Sequence, residues 1–128
     1  MKRSHLPPPL KHFIDCLKPP KNPDALGGWG LSNALKLTEI TDSITFPVLD
    51  LLSGSPVAVY ALGSYGRCEL APFSDIDILI VTRGGAGVSE AMAALWDTGL
   101  YPSIVIREAD EIRSSAKLDA LFATSILD

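Results

Sequence analysis

The sequence predicts an α+β domain, in which a small mixed β-sheet is flanked by helices. Two observations predict it. The chain has 128 residues, of which 47% are hydrophobic and 20% charged, an ordinary globular composition with enough apolar surface for one modest core. Its apolar patterns follow the order helix, strand, strand, helix, strand, helix, and an order of this kind is typical of one sheet covered by helices.

Residues 1–30 are expected to form a proline-rich amino-terminal arm, with the domain itself at residues 31–128. Proline groups at positions 7–9, 19–20 and 23 favour extended backbone. Between them, a helical spacing of apolar side chains predicts one short amphipathic helix, with Leu10, Phe13, Ile14 and Leu17 on its apolar face. The run Gly27-Gly28-Trp29-Gly30 predicts a flexible loop with an aromatic anchor. The pattern leaves open whether the arm packs on the domain or extends away from it.

The first helical region of the domain is predicted from Ser32 to Leu52. Its apolar face repeats every three or four residues and would comprise Ile40, Ile44, Val48 and Leu51. Pro47 interrupts the pattern, so it either kinks one long helix or lies in the first turn of a second helix. The run Ser53-Gly54-Ser55-Pro56 is typical of a helix end followed by a turn.

Three strands are predicted at Val57–Leu62, Asp75–Val81 and Ser103–Arg107, as neighbours in one sheet. They are short apolar runs rich in β-branched residues, and the first is expected to be buried. A helix capped by Ser89 and ending at Gly99 would connect the last two strands. Its apolar face would comprise Val88, Met92, Leu95 and Trp96.

Beyond the third strand, one or two further helices are predicted up to Leu127. The chain ends inside this helical pattern without a glycine terminator, which indicates a fragment or an excised domain of a longer protein.

Charge and cysteine content narrow the classes of partner. The net charge of −4 disfavours binding to nucleic acid, because proteins that bind its phosphate backbone usually carry a basic face. Cys16 and Cys68 are far apart and predict neither a zinc site nor a disulfide framework.

No apolar run approaches the ~20 residues needed to span a bilayer, and the amino terminus lacks a signal-peptide pattern. We therefore expect a cytoplasmic protein that does not bind membranes.

A metal site is expected at the start of the second strand. Side chains alternate along a strand, so Asp75 and Asp77 would project from one face with their carboxylates close together. Two carboxylates that close repel, and the pKa of one rises unless a cation lies between them. Oxygen-only ligation suits Mg²⁺ or Mn²⁺. We therefore predict that this pair binds a divalent metal.

A phosphate-binding turn is predicted shortly before this pair. Gly63 lets the backbone approach a ligand, and Ser64 with the following N–H groups offers donors to phosphate oxygens. Arg67 adds a fixed positive charge. An Asp-x-Asp pair or a Gly-Ser turn is often only structural, but the two in this order match the needs of metal-assisted phosphoryl or nucleotidyl transfer.

This segment resembles the signature of the polymerase-beta-type nucleotidyltransferase superfamily, a Gly-Gly or Gly-Ser turn followed about ten residues later by Asp-x-Asp. Ten residues, Tyr65 to Ser74, separate Ser64 from Asp75 here. The closer similarity is to the PII uridylyltransferase group, with the signature G-G-Y-G-R-G-E-L-x-P-x-S-D-I-D-L-L. In step with it the chain has Gly63, Tyr65, Gly66, Arg67, Glu69, Leu70, Pro72, Ser74, Asp75, Ile76 and Asp77.

A second stretch supports the same resemblance. The run from Leu95 to Leu100 resembles the W-D-x-G-L run of that group, and Val105-Ile106-Arg107 stands where the group tends to have S-V-R. Two positions depart from the signature, since Cys68 and Ser64 each replace a glycine.

The resemblance implies a polymerase-beta-type nucleotidyltransferase fold and an enzymatic activity. The activity would be transfer of a nucleoside monophosphate, UMP or AMP, from a magnesium-bound NTP to a protein acceptor such as a PII-like signalling protein. Asp75 and Asp77 would hold one or two Mg²⁺ or Mn²⁺ ions. Gly63, Ser64 and Arg67 would bind the β- and γ-phosphates of UTP or ATP.

The general base is less well defined by the resemblance. Many superfamily members place a third carboxylate on a later strand, and residues 103–106 offer none. Glu108, just beyond that strand, is therefore predicted as the base. Two alternatives stay open: a minimal antitoxin-type nucleotidyltransferase that adenylylates a toxin, and a degenerate domain that binds nucleotide without turnover. The runs Glu69-Leu70-x-Pro72 and Trp96-Asp97-x-Gly99-Leu100 favour the uridylyltransferase interpretation over the antitoxin type.

Overall fold

One three-stranded mixed sheet organises the fold. The structure, a computed structural model, describes residues 6–84 and 87–112. The strands are β1 (Val57–Ala61), β2 (Ile76–Thr82) and β3 (Pro102–Glu108), in the order β1-β2-β3. β1 runs antiparallel to β2, and β3 runs parallel to β2. The predicted α+β class and the predicted adjacency of the three strands are confirmed, with each strand boundary moved by at most one residue.

Helices pack on one face of this sheet. They are α1 (Pro8–Asp15), α2 (Leu26–Leu49), the single turn α3 (Gly63–Gly66) and α4 (Val88–Asp97), with 3-10 turns at Pro23–Ala25 and Asp50–Leu52. Alternate residues of β2 face the helices, because side chains along a strand point to opposite faces. Ile76, Ile78 and Ile80 thus join the core, together with Leu37, Leu52, Ala91, Leu95 and Leu100.

The amino-terminal arm packs on the domain. The short helix predicted between the proline clusters is α1, with Pro7 as its N-cap and Pro8 in its first turn, where a missing N–H costs little. Leu10 is 5% exposed and belongs to the hydrophobic core. The two possibilities left open by the sequence are therefore decided in favour of packing, because burial of apolar surface outweighs the ordering of so short a helix.

The predicted glycine loop is wrong, because α2 begins at Leu26 and runs through Gly27, Gly28 and Gly30. Glycine disfavours a helix by about 1 kcal/mol per residue, and a 24-residue helix that packs on the core tolerates that cost. A 3-10 turn precedes α2, and the Asn22 side chain caps that turn by accepting a bond from the Asp24 amide.

The carboxyl end of α2 agrees with the prediction in one respect and differs from it in another. Pro47 lies inside one long helix, which is the first of the two predicted alternatives, and not in the first turn of a second helix. Leu51 is 57% exposed, and Leu52 takes the buried position instead. Leu52 is buried in place of Leu51 because Asp50–Leu52 form a 3-10 turn, which has 3 residues per turn instead of the 3.6 of an α-helix. Ile40, Ile44 and Val48 pack against the core as predicted.

Two further burial predictions are wrong. β1 is an edge strand rather than a buried one, and Tyr60 is 53% exposed. Trp96 is 50% exposed on α4, where its ring meets the edge of Tyr101 at 6.2 Å between centroids. Ala91 instead joins Val88 and Leu95 on the buried face. The N-cap of α4 is Gly87 rather than Ser89, with φ at +81°, a conformation that glycine adopts readily.

Residues 109–112 begin the helical region predicted after the third strand, and the rest of that prediction lies outside the described residues. None of the helices in the described ranges is both long enough and apolar enough to cross a membrane.

Candidate active site

The turn between β1 and β2 is built around two glycines. Gly63 starts α3 with φ at +56°, in the left-handed region that glycine tolerates without strain. A Cβ on Gly66 would lie 2.6 Å from the carbonyl oxygen of Ala61, so only glycine fits against the end of β1. The turn is closed by backbone bonds from the Gly66 amide to Leu62 and from the Arg67 amide to Gly63. These contacts hold the predicted phosphate-binding residues tightly against the sheet.

The same turn lies against the carboxylate of Asp77. A Cβ placed on Gly63 would be 3.0 Å from Oδ2 of Asp77, so the side chain of Asp77 points at the glycine backbone. The backbone fixes this approach, because the Leu62 amide donates to the Asp77 carbonyl oxygen at 2.9 Å. Asp77 is the second residue of β2, and Asp75 is exposed one residue before that strand begins. The structure therefore brings together the predicted turn and the predicted metal ligands.

The electrostatics of the carboxylate pair Asp75 and Asp77 favour binding of a cation between them. Burial raises the pKa of Asp77 above its ordinary value of 3.8, and the negative charge of Asp75 raises it further. Both effects disfavour the ionised form, and a divalent metal beside the two oxygens would reverse them. The donor set is all oxygen, which suits Mg²⁺ or Mn²⁺. Among residues 6–84 and 87–112, no cluster of three or more potential metal-ligating side chains occurs, so a metal here would rest on this pair and its substrate.

Arg67 and Glu69 form an ion pair beside the turn. Nε of Arg67 donates to Oε2 of Glu69 at 2.9 Å, with both side chains substantially exposed. The Glu69 amide also donates to the carbonyl oxygen of Ser64 at 2.8 Å. An exposed pair of this kind contributes little to stability. The pair links the guanidinium to Glu69, whose own amide is bonded to Ser64 of the turn.

Tyr65 is a residue of this site for which the sequence suggested no role. Its ring is buried, and its hydroxyl donates to Oδ1 of Asp42 at 2.6 Å. The hydroxyl of Thr45 lies 3.0 Å from the same oxygen atom of Tyr65. Asp42 and Thr45 belong to α2, more than one turn before its end. The only sequence signal was the tyrosine between Ser64 and Gly66 in the motif, and its partners lie 20 or more residues away.

Glu108 is not brought to the carboxylate pair. In the parallel register Asp77 is opposite Ser103, whereas Glu108 is opposite Thr82 at the far end of both strands. Five residues of β3 span about 16 Å. Alternation also places Glu108 on the other face of the sheet from Ser103. The position on β3 nearest to Asp77 therefore carries a serine, and the predicted base lies too far away to deprotonate an acceptor held by the pair.

The raised pKa of Asp77 predicts a pH dependence of stability. The folded chain binds this proton more tightly than the unfolded chain, so stability is highest at low pH and falls as pH rises from 3.8 through the raised pKa. Asp77→Asn removes this loss. The stability gained by the variant should therefore grow as pH rises from 3.8 and level off once pH exceeds the raised pKa, as measured by urea unfolding of both chains without metal. Parallel curves for the two chains would contradict the prediction.

Comparisons with known proteins support the same interpretation as the geometry of the turn and the carboxylates. A family model described as a nucleotidyltransferase domain matches residues 48–124, more than half of the chain. A bifunctional uridylyltransferase/uridylyl-removing enzyme of Azospirillum brasilense is 36% identical over 98 residues, covering 72% of this chain and 10% of that protein. The protein of the same name from Phenylobacterium zucineum (strain HLK1) is 34% identical over 119 residues, covering 80% of this chain and 13% of that protein.

The matched region is a small part of these relatives. The chain spans about a tenth of the length of the curated relatives it matches. No solved structure matches it significantly. The predicted resemblance to polymerase-beta-type nucleotidyltransferases, and among them to the uridylyltransferase group, is confirmed by the family model and by these relatives.

Proposed function

Because this chain belongs to the family of nucleotidyltransferase domains, we propose that it transfers UMP or AMP from a magnesium-bound NTP to a protein acceptor and releases pyrophosphate. The observation that carries the proposal is the close approach of the glycine turn to Asp77, since a Cβ placed on Gly63 would lie 3.0 Å from the carboxylate. A phosphate group on the turn would lie next to a metal on the carboxylates. UMP is the first choice because the relatives named above are uridylyltransferases.

Asp75 and Asp77 are proposed to hold the metal, Mg²⁺ or Mn²⁺. The metal supplies charge neutralisation at the triphosphate and lowers the pKa of the acceptor hydroxyl when it is bound. The two carboxylates differ in their surroundings, since Asp75 is exposed and Asp77 is half-buried against the turn. Asp77 would therefore fix the geometry of the site, and Asp75 would add charge from the solvent side.

Gly63, Ser64 and Arg67 are proposed to bind the β- and γ-phosphates. The first N–H groups of a helical turn have no partner within the helix, so those at the start of α3 would be available to donate to phosphate oxygens. The guanidinium of Arg67, oriented by Glu69, would neutralise the pyrophosphate as it leaves. Holding the leaving group in line is the contribution expected of such a turn.

The acceptor is proposed from the resemblance alone. It is a hydroxyl on a small signalling protein of the PII type. A cytoplasmic location, where NTPs and Mg²⁺ are abundant, is part of the same proposal.

A second candidate function is nucleotide binding without turnover. The observation that favours it is the serine opposite Asp77 on β3, where many superfamily members are expected to carry a third carboxylate. Incubating the chain with labelled UTP or ATP, Mg²⁺ and a PII-like protein separates the two. Labelled acceptor that disappears with Asp77→Asn supports transfer. Binding of the nucleotide with no labelled product, in the presence of the correct acceptor, supports the binding-only function.

Glu108→Gln tests the placement of the base. Because Glu108 lies about 16 Å from the position opposite Asp77, we expect the substitution to leave both turnover and nucleotide affinity unchanged. Steady-state transfer of labelled UMP gives the turnover, and thermal stabilisation by Mg-UTP gives the nucleotide affinity. A loss of turnover with unchanged affinity would show that Glu108 acts in the transition state. That result would contradict the distance between Glu108 and Asp77 that the pairing of β2 with β3 implies.

A further inference from the structure

We infer that Tyr65 is a positioning residue, which fixes the phosphate-binding turn on α2 through Asp42 and Thr45. These three residues are named the α2 anchor below. The inference rests on the proposed function, because it assigns the turn to triphosphate binding. It goes beyond that function by naming what holds the turn in place.

Within α3, no other large side chain could hold the turn. α3 comprises four residues, and two of them are Gly63 and Gly66. Gly66 cannot carry a side chain, since its Cβ would be 2.6 Å from the backbone of Ala61. Ser64 is small and is assigned to phosphate. Tyr65, 5% exposed and part of the core cluster, is therefore the one residue of α3 whose side chain ties the turn to the body of the domain.

The partners of Tyr65 suit this role. Asp42 and Thr45 are three residues apart on α2, so they lie on the same side of the helix. The Tyr65 hydroxyl has a single proton and donates it to Asp42 at 2.6 Å, which leaves its oxygen to accept from Thr45 at 3.0 Å. A bond to a carboxylate is shorter and stronger than a neutral one. Burial and this bond raise the pKa of Tyr65, so its hydroxyl stays a donor at physiological pH.

The anchor should affect triphosphate binding rather than metal binding. Loss of the hydroxyl would free the turn to move relative to α2, and donors that shift by a fraction of an ångström no longer match the phosphate oxygens. The backbone of Asp77 is held by the pairing of β2 with β3 and by the Leu62 amide, which precedes the turn, so the metal ligands depend less on the anchor than the phosphate donors do. A positioning defect in the turn therefore raises the dissociation constant and the KM for the NTP while the response to Mg²⁺ alone is kept.

Tyr65→Phe and two matched pairs of variants test this in the full chain. Tyr65→Phe keeps the buried ring and removes the hydroxyl, and Thr45→Val removes its second partner. Thr41→Val is the control, because Thr41 is equally buried on the same helix and its hydroxyl bonds within α2, to the Leu37 carbonyl. Asp42→Leu removes the acceptor, whereas Asp42→Asn keeps an oxygen that accepts the same bond.

Thermal stabilisation by Mg-UTP and by Mg-ATP is the first readout. We expect Tyr65→Phe and Asp42→Leu to weaken nucleotide binding about tenfold, with Thr45→Val in the same direction, while Asp42→Asn restores it and Thr41→Val matches the wild type. Equal nucleotide binding by Tyr65→Phe and the wild type would overturn the inference. If the wild-type chain responds to neither nucleotide, the proposed function itself fails.

Amide hydrogen exchange is the second readout and needs no nucleotide. The amides of Gly66, Arg67 and Cys68 are bonded within the turn, to Leu62, Gly63 and Tyr65. Their exchange should rise about tenfold in Tyr65→Phe and stay unchanged in Thr41→Val. Unchanged exchange of these amides in Tyr65→Phe would overturn the role of the α2 anchor, whether or not the chain binds NTP.

Discussion

Replacing both Asp75 and Asp77 by asparagine is expected to abolish the stabilisation of the chain by Mg²⁺ and NTP together. A ligand that binds only the folded state stabilises it by about 1.4 kcal/mol at ten times its dissociation constant, a shift of several degrees in melting temperature. Without the carboxylates no metal would hold the triphosphate, so the shift should vanish. Transfer should fall about a thousandfold or more, since a metal stabilises the transition state by several kcal/mol.

The same double variant should be at least as stable as the wild type without metal. Burial and the charge of Asp75 both raise the pKa of Asp77, so its ionised form destabilises the empty site at neutral pH. Asp50→Asn with Glu90→Gln is the matched control. It removes two charges from exposed positions, each in the first turn of a helical segment away from the turn that contacts Asp77. The control should keep the wild-type shift in melting temperature. A shift that survives the Asp75/Asp77 change would place the nucleotide elsewhere.

Gly63→Ala is expected to lower transfer about a hundredfold through its contact with Asp77. The new methyl would lie 3.0 Å from Oδ2, so either the carboxylate or the turn must shift by a few tenths of an ångström. A displacement of that order at a metal ligand reduces catalysis steeply. The left-handed backbone adds a stability cost of about 1 kcal/mol for any residue with a Cβ. Transfer rates and urea unfolding, measured on the same preparation, report the two effects.

Gly54→Ala separates the two causes. Gly54 has φ at +84°, and a Cβ placed there meets no atom within 4 Å. It should therefore show the same loss of stability as Gly63→Ala with transfer unchanged. Equal transfer rates for the two variants would mean that the approach of Gly63 to Asp77 has no part in the site.

The sequence predicted those features of the site that depend on residues close together in the chain. Gly63, Ser64, Arg67, Asp75 and Asp77 lie within 15 consecutive positions, and their order along one strand–turn–strand unit already implies that they meet. The alternation of β2 likewise follows from the run of isoleucines, which places Asp77 on the face away from the core. The exact roles of these residues stay predictions, which the variants above test.

Features that depend on partners distant in the chain could not be predicted. Whether Gly27 to Gly30 form a loop or a helix was decided by packing of α2 on the core, which outweighs local propensity. The exposure of Trp96 depends on which face of α4 packs on the sheet. The apolar residues of α4 are spaced so that more than one face of the helix could be the buried one, and the sequence does not choose between them.

The sequence by itself determined the class of fold, the positions of the strands along the chain and the segment proposed to carry the chemistry, because each is set by patterns within a few neighbouring residues. Only the tertiary structure decided that Tyr65 bonds to Asp42, 23 residues away, and that Glu108 lies at the far end of the sheet from Asp77. A hydrogen bond between elements and the register between strands both depend on how separate segments pack. No spacing along the chain specifies that packing, because many packings satisfy the same local pattern.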